Sequence, residues 1–242
     1  MSIKHEFRKL LWKIGYDVSI SKFDPGSHPL AQKKQIFTTY GIDTVLDIGA
    51  NSGQFAQNLR KTVGFSGHIL SFEPQSKAFE LLNANSKNDP TWDIFNYAIG
   101  DIEGKQEINI SNNSFSSSLL NILPTHIEAE PNSGYVGKET ITIKPLDSLF
   151  WDLCKDAINI YMKIDTQGFE SKVLKGAKAS LSHINTIQME MSLVPLYEGE
   201  LLFNEMCFLM SKKGYTLIAI KSGFSDPKTG QTLQVDGFFH RF

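Results

Sequence analysis

"TVLDIGANSGQF", residues 44–55, joins a short apolar run to an acid at Asp47, two glycines at Gly49 and Gly53, and then a stretch with helical spacing. A run of this length bounded by glycine reads as a buried strand that turns directly into a helix. At the carboxyl end of such a strand a glycine turn lets a ligand approach the backbone, and the next helix opens with N–H groups that lack partners within it. The pattern Asp47-x-Gly49-x-x-x-Gly53, with Asn51 between, departs from the G-x-G-x-x-G of dinucleotide sites. A carboxylate at Asp47 repels a polyphosphate and attracts a cationic or hydroxylated ligand. Turns of this kind also serve dinucleotide enzymes and plain helix–strand packing, so the rest of the chain must decide among them.

Outward from this stretch, short apolar runs alternate with helical patterns, the signature of a parallel sheet covered on both faces. After the strand at 44–48 we expect a helix over 52–63, a strand at 68–72, a helix over 75–86 and a strand at 93–99. Further parallel strands are expected at 159–164 and 185–191 with a helix over 168–181 between them, then a helix over 200–212 and a strand at 215–220. "FSDPKTGQT" (224–232) is a turn-rich link with no helical pattern, so the final run "LQVDGFFHRF" returns as an antiparallel strand. Between residues 101 and 146 the rhythm breaks: "KQEINI" and "ETITIK" predict an antiparallel pair flanking a Ser/Asn-rich segment. A connection of that length is a lid, a binding loop or disorder.

Residues 1–40 read as a helical extension and 41–242 as the main domain. Phe7, Leu10, Leu11, Ile14 and Val18 fall at helical spacing with Lys4, Arg8, Lys9 and Lys13 on the remaining surface, and a second helix is expected over 29–39. The apolar stripe is expected to cover the chain's own core rather than a membrane. No stretch reaches the roughly 18 apolar residues of a span, and no signal-peptide pattern is present, so a soluble, cytoplasmic protein is expected. With 242 residues and 41% hydrophobic content the chain can bury a sizeable core. Lys plus Arg number 24 against 26 Asp plus Glu, so the net charge of −2 gives no footprint for nucleic acid. Cys154 and Cys207 stand alone, without the spacing of a disulfide framework or a zinc site, and are read as reduced thiols.

Glu73, in "SFEP", ends the second strand, where a carboxylate can take both hydroxyls of a ribose; Pro74 stops the strand and opens the next helix, which the same acid also favours. Ala98 and Asp101, in "NYAIGD", follow the third strand, where a nucleobase edge would lie.

The runs "VLDIGANSGQF", "SFEP", "NYAIGD", "SSSLL", "MKIDTQGFESKVLKGA" and the closing "VDGFF" together resemble the FkbM family of S-adenosylmethionine-dependent methyltransferases, over about residues 41–239. The run 162–177 is the distinctive one; the glycine turn is shared by the whole class. The resemblance implies an α/β, Rossmann-like class I methyltransferase fold, with a seven-stranded, mostly parallel sheet whose last strand is antiparallel. It implies S-adenosyl-L-methionine as cofactor, held by Asp47, Gly49, Asn51, Gly53 and Glu73, with Ala50, Phe55 and Pro74 in the same two segments and Ala98 and Asp101 near the adenine. The acceptor it implies is a hydroxyl of a sugar, glycan or polyketide-type natural product. Gln167 stands where the family's K-I-D-x-E-G pattern has Glu, so no carboxylate role is assigned there.

Transfer of a methyl group to oxygen requires alignment and removal of the hydroxyl proton. Asp165 ends the fourth parallel strand and Glu190 nearly ends the fifth; Lys163 points to the same side as Asp165. Charges in doubly buried strands need pairing or a function, so Lys163 either bridges Glu190 or another acid, or faces the acceptor. His126, in the insertion with Glu128 and Glu130, is a further candidate base. An oxygen-ligand metal site would need Asp165, Glu190, Glu128 and Glu130 to converge in the fold, and none is assigned. Phe115, Ser116, Ser117 and Ser118, with Leu193 and Tyr197, are expected to border the acceptor. Two other readings stay open: an NAD-dependent oxidoreductase, and a non-catalytic nucleoside- or glycan-binding module. A homo-oligomer is also left open.

Overall fold

The computed structural model describes residues 3–17 and 22–242. The chain divides into two compact units, 1–39 and 40–242. The first contains α1 (Ile3–Lys13) and α2 (Pro29–Thr39). Contrary to expectation, Phe7, Leu10 and Ile14 of the apolar stripe are exposed, and Val18 lies outside the described residues. Among the described residues, no helix is long and apolar enough to cross a membrane.

The second unit is built on β1 (Thr44–Ile48), α3 (Gln54–Asn58, continued in π geometry to Val63), β2 (His68–Phe72), α4 (Ser76–Ser86), β3 (Trp92–Phe95), β4 (Ala98–Ile99), β5 (Gly104–Ser111), α5 (Pro124–Ala129) and β6 (Tyr135–Lys144). There follow α6 (Phe150–Leu153), β7 (Ile160–Ile164), α7 (Glu170–Gly176), β8 (Ile184–Ser192), α8 (Phe203–Lys212), β9 (Thr216–Ser222) and β10 (Gln234–His240). Seven strands form one sheet in the order β3-β2-β1-β7-β8-β10-β9, parallel except for β10, which runs antiparallel between β8 and β9. The central strands β1 and β7 are buried at every residue because helices cover both faces, which is why they read as continuous apolar runs. Leu46, Ile48, Met162, Ile164, Ile187 and Met189 form the centre of the core.

Two expected elements are broken, each for a visible reason. The strand expected over 93–99 leaves the sheet after Phe95, where the Asn96 side-chain amide donates to the Glu73 and Pro74 carbonyls at 3.0 and 3.1 Å. Ala98 and Ile99 then pair with β6, making a second, three-stranded sheet β4-β6-β5. The helix expected over 168–181 stops at Gly176. A Cβ there would lie 1.8 Å from the Gly100 carbonyl oxygen, and the next turn restarts at Ser180 under the Asp147 carboxylate, which accepts from the Ala179 and Ser180 amides.

The segment between the main sheet's third and fourth strands is ordered. Its β5 and β6 pair antiparallel with Gln106 opposite Ile141 and Ile108 opposite Glu139. Ser76 donates its backbone N–H to Glu139 at 3.0 Å, and Asn51 donates its side-chain amide to the Ser114 carbonyl at 2.9 Å. The insertion is therefore tied at one end to α4 and at its tip to the glycine turn.

Candidate active site

A cavity opens at the carboxyl edge of the sheet, where β1, β2 and β7 end beneath the insertion. Its wall has apolar residues, among them Phe72, Pro74, Ala98, Ile99 and Phe169, and polar ones, Asn51, Ser114, Ser117, Ser118, Asp165 and Gln167. Glu73 lines the same cavity. Among the described residues only Asn51, Ser114 and Gln167 are non-glycine residues with positive φ (49°, 60° and 55°), and all three line this cavity. Backbone strain of that kind persists where the surroundings over-determine it, and it gathers at functional sites.

Glu73 is 3% exposed and takes one backbone N–H on each oxygen, Asn51 on Oε2 at 2.8 Å and Gln75 on Oε1 at 2.9 Å. Burial pushes its carboxyl up to about 7, against those two hydrogen bonds. Each oxygen retains a second lone pair for a ligand hydroxyl.

The glycine turn contributes less bare backbone than expected. The Gly49 and Ala50 amides donate to the Phe72 carbonyl, Gly53 to the Ala50 carbonyl, and Ser52 to the Asn51 side chain. A Cβ on Gly49 would lie 1.9 Å from the Asp165 carbonyl oxygen, and one on Gly53 would lie 2.7 Å from the Trp92 ring. Both also have positive φ, 77° and 85°. Packing of β1 against β7, and of α3 against Trp92, thus requires these glycines before any ligand is considered.

Asp47 lies behind the cavity wall rather than on it. It is fully buried and opposite Lys163 in the β1–β7 register, with the two charged ends 3.4 Å apart. Ser71, its register neighbour on β2, donates to Oδ2 at 3.3 Å and accepts from Trp92 Nε1 at 2.9 Å. Lys163 reaches Asp165 Oδ2 at 3.3 Å and donates to the Gly49 carbonyl at 3.1 Å. Its acid partners are Asp47 and Asp165, not Glu190. Burial opposes its charge, but those two carboxylates outweigh burial and hold its pKa above the ordinary range.

Asp165 lines the cavity with 37% of its side chain exposed. Glu190 sits further back, bonded by Gln167 Nε2 at 2.7 Å and Gln234 Nε2 at 3.0 Å. Burial, then Asp165, Glu170 and Asp236, push the Glu190 carboxyl well above its usual range.

Of the residues singled out in the sequence, Gly49, Asn51, Glu73, Pro74, Ala98, Phe115, Ser117, Ser118 and Asp165 meet on the cavity wall. Ala50, Gly53 and Phe55 stand off it; the Phe55 ring carries the Lys163 ammonium 5.5 Å from its centroid. Asp101 is drawn away by Lys172 and Lys175 at 3.6 and 2.8 Å. His126 is buried in α5 against Tyr197 and Phe224, and burial lowers its pKa to about 4. Ser116 and Tyr197 are buried behind the wall, joined by a 3.3 Å bond from the Tyr197 hydroxyl to the Ser116 carbonyl, and Leu193 is exposed outside it. Among the described residues no group of three or more His, Cys, Asp or Glu side chains is placed to hold a metal. Phe72, Ser114 and Phe169 were not singled out in the sequence, and Gln167 was noted only as a departure from the family pattern; the positive φ of Ser114 and Gln167 leaves no compositional mark.

The strand order, the single antiparallel strand and a cavity at the carboxyl edge of β1 and β2 define a Rossmann-like methyltransferase fold. The family description "Methyltransferase FkbM domain" matches residues 47–217, and the chain belongs to that family. The 2-O-methyltransferase NoeI of Sinorhizobium fredii (strain NBRC 101917 / NGR234) is 26% identical over 163 residues, which cover 65% of this chain and 66% of that protein. In structure, the chain is similar to the methyltransferase FkbM of Methylobacillus flagellatus KT (15% identity, TM-score 0.46, 81% of this chain and 43% of that one). It is also similar to Aeropyrum pernix fibrillarin with natively bound S-adenosyl-L-methionine (10% identity, TM-score 0.45, 81% of this chain and 66% of that one).

Proposed function

We propose that the protein is an S-adenosyl-L-methionine-dependent O-methyltransferase whose acceptor is a hydroxyl of a sugar, glycan or polyketide-type molecule. The observation that carries this reading is Glu73, a buried carboxyl that accepts one backbone N–H on each oxygen and lines a cavity shared by apolar side chains, serines and Asp165. A nucleoside suits those surfaces: an apolar wall of Phe72, Pro74, Ala98 and Phe169 for the base, the free lone pairs of Glu73 for the ribose diol, and Asp165 for a cationic tail. Membership of the FkbM family and the 2-O-methyltransferase relative support it.

When bound, the cofactor supplies an electrophilic methyl group on a sulfonium. The chain's own residues align the acceptor hydroxyl and receive its proton. Asp165 is an acidic side chain on the cavity wall, with the Lys163 ammonium 3.3 Å from its Oδ2, and is assigned to take the proton. Ser117 and Ser118 line the same cavity as Asp165 and Gln167 with their hydroxyls already bonded to Ser111 and to the Gln167 carbonyl, while Phe115, 63% exposed, offers the acceptor a ring face.

Calorimetric titration with S-adenosylmethionine and S-adenosylhomocysteine tests the cofactor. Labelled methyl transfer to a panel of methyl glycosides and hydroxylated polyketides tests the acceptor. Binding of both nucleosides with label in at least one hydroxyl compound is expected; no heat from a folded sample at about millimolar ligand would refute the reading.

A further inference from the structure

Gln167 makes four hydrogen bonds from its strained position. Its Nε2 donates to Asp165 Oδ1 at 2.8 Å and to Glu190 Oε2 at 2.7 Å. Its Oε1 accepts from the Tyr197 hydroxyl at 2.7 Å, and its carbonyl accepts from Ser118 Oγ at 2.6 Å. Two carboxyl groups therefore meet on one nitrogen. Carboxyls that close ordinarily share a proton or bind a cation, because neither can ionise freely beside the other. Here an uncharged amide gives one N–H to each, while Lys163 meets the other oxygen of Asp165 at 3.3 Å. Asp165 is thus fixed at both oxygens, on the cavity wall, and Glu190 stays behind it.

We propose that Gln167 is a positioning residue for methyl transfer: its carboxamide stands where a shared proton or a cation would otherwise sit between Asp165 and Glu190, and it keeps the Asp165 carboxylate available to the acceptor. This rests on the reading of Asp165 given above. As the acceptor oxygen bonds to the methyl carbon, the carbon–sulfur bond breaks with its electron pair going to sulfur, and the hydroxyl proton passes to Asp165. No further reactant is needed. The other groups facing this cluster are Lys163 from β7, Glu170 from α7, Asp236 from β10, and Tyr197 and Glu200 from the loop after β8.

Gln167→Glu replaces both donors with a third carboxyl, and Gln167→Glu with Glu190→Gln restores one amide and the original charge. Thermal unfolding of the three proteins between about pH 5 and pH 8 reads the effect without any acceptor. A buried carboxyl crowded by others has a raised folded pKa. Its stabilising contribution is complete below the unfolded pKa and is lost as pH rises through the folded one, so the deficit of Gln167→Glu is expected to widen with rising pH and to shrink in the double variant. S-adenosylhomocysteine affinity within about twofold of the parent shows the cavity intact. With any probe of the glycoside panel that the parent methylates, Gln167→Glu is expected to lose about tenfold or more in kcat near neutral pH, with little change in acceptor KM and partial recovery in the double variant.

A deficit that is the same at every pH, or that the second substitution leaves untouched, overturns the proposal. If Gln167→Glu fails to fold and the double variant folds, that is the expected rescue in extreme form; failure of both overturns it. Because the unfolding comparison uses no acceptor, a parent protein that methylates no probe counts against the enzymatic reading alone.

Discussion

Lys163 Nζ lies 3.4 Å from Asp47 Oδ1, between residues directly opposite one another on β7 and β1. Asp47 is fully buried, so its charge is tolerable only while the ammonium is present. Breaking a buried pair by removing one partner costs about 3–5 kcal/mol, whereas removing both can be nearly neutral. Lys163→Met is expected to lower unfolding free energy by that amount in urea titrations. Adding Asp47→Asn should recover much of the loss, and a single variant as stable as the parent would show that Asp47 is neutral in the fold.

Glu73 should govern cofactor affinity and its dependence on pH. Glu73→Ala is expected to weaken S-adenosylmethionine binding by about 1–3 kcal/mol, the range for hydrogen bonds to a charged group. With its carboxyl pushed up to about 7 and a diol preferring the ionised form, affinity should rise as pH passes through about 7 and then level off. Glu73→Gln should flatten that curve in calorimetry; a curve that keeps its slope would detach Glu73 from the ribose.

Stability of the free protein should respond to pH through three buried groups. Burial raises Glu73 and Glu170 to about 7, so their favourable contributions are complete below the unfolded carboxyl value and fade as pH rises through about 7. His126 is the reverse: burial lowers it to about 4, so its contribution is present above its unfolded value and is lost as pH falls toward 4. The melting temperature should therefore peak on the acid side of neutrality. Glu170→Gln should reduce the decline toward alkaline pH, and His126→Phe the decline toward acid.

Gly53→Ala places a methyl 2.7 Å from the Trp92 ring at φ 85°. The expected result is a loss of about 1–3 kcal/mol in stability with a smaller change in cofactor affinity, since this glycine serves packing. A large loss of affinity at unchanged melting temperature would return Gly53 to direct ligand contact.

The parallel core was legible because strands covered on both faces must be apolar throughout, and "TVLDI", "HILSF" and "IYMKI" are nearly so. The antiparallel β10 was legible from the lack of any helical crossover before it. Within the site, Glu73 and Asp165 could be placed because strand ends are fixed by Pro74 and by the turn at Gly168. Asp47 could not: its role depends on which residue stands opposite on β7, a register that apolar runs do not specify. Asp101 is not on the cavity wall; it pairs with Lys172 and Lys175, neighbours on one face of α7, an alternative partner set the strand pattern does not reveal. Ala98 reached the cavity by an unforeseen route, since the chain bends at Asn96 to satisfy carbonyls left open beyond β2. Gln167, noted only as a departure from the family pattern, was given no site role because an amide in a left-handed turn has no periodicity to betray it.

The contact between Trp92 and Gly53 has an optical consequence. Trp92 is buried, while the other two tryptophans, Trp12 and Trp151, are about half exposed to solvent. Its indole N–H ends on Ser71, which in turn meets Asp47. A blue-shifted emission component should therefore come from a single ring seated against the glycine turn, and quenching of that component would give the protein an intrinsic fluorescent gauge of what happens there.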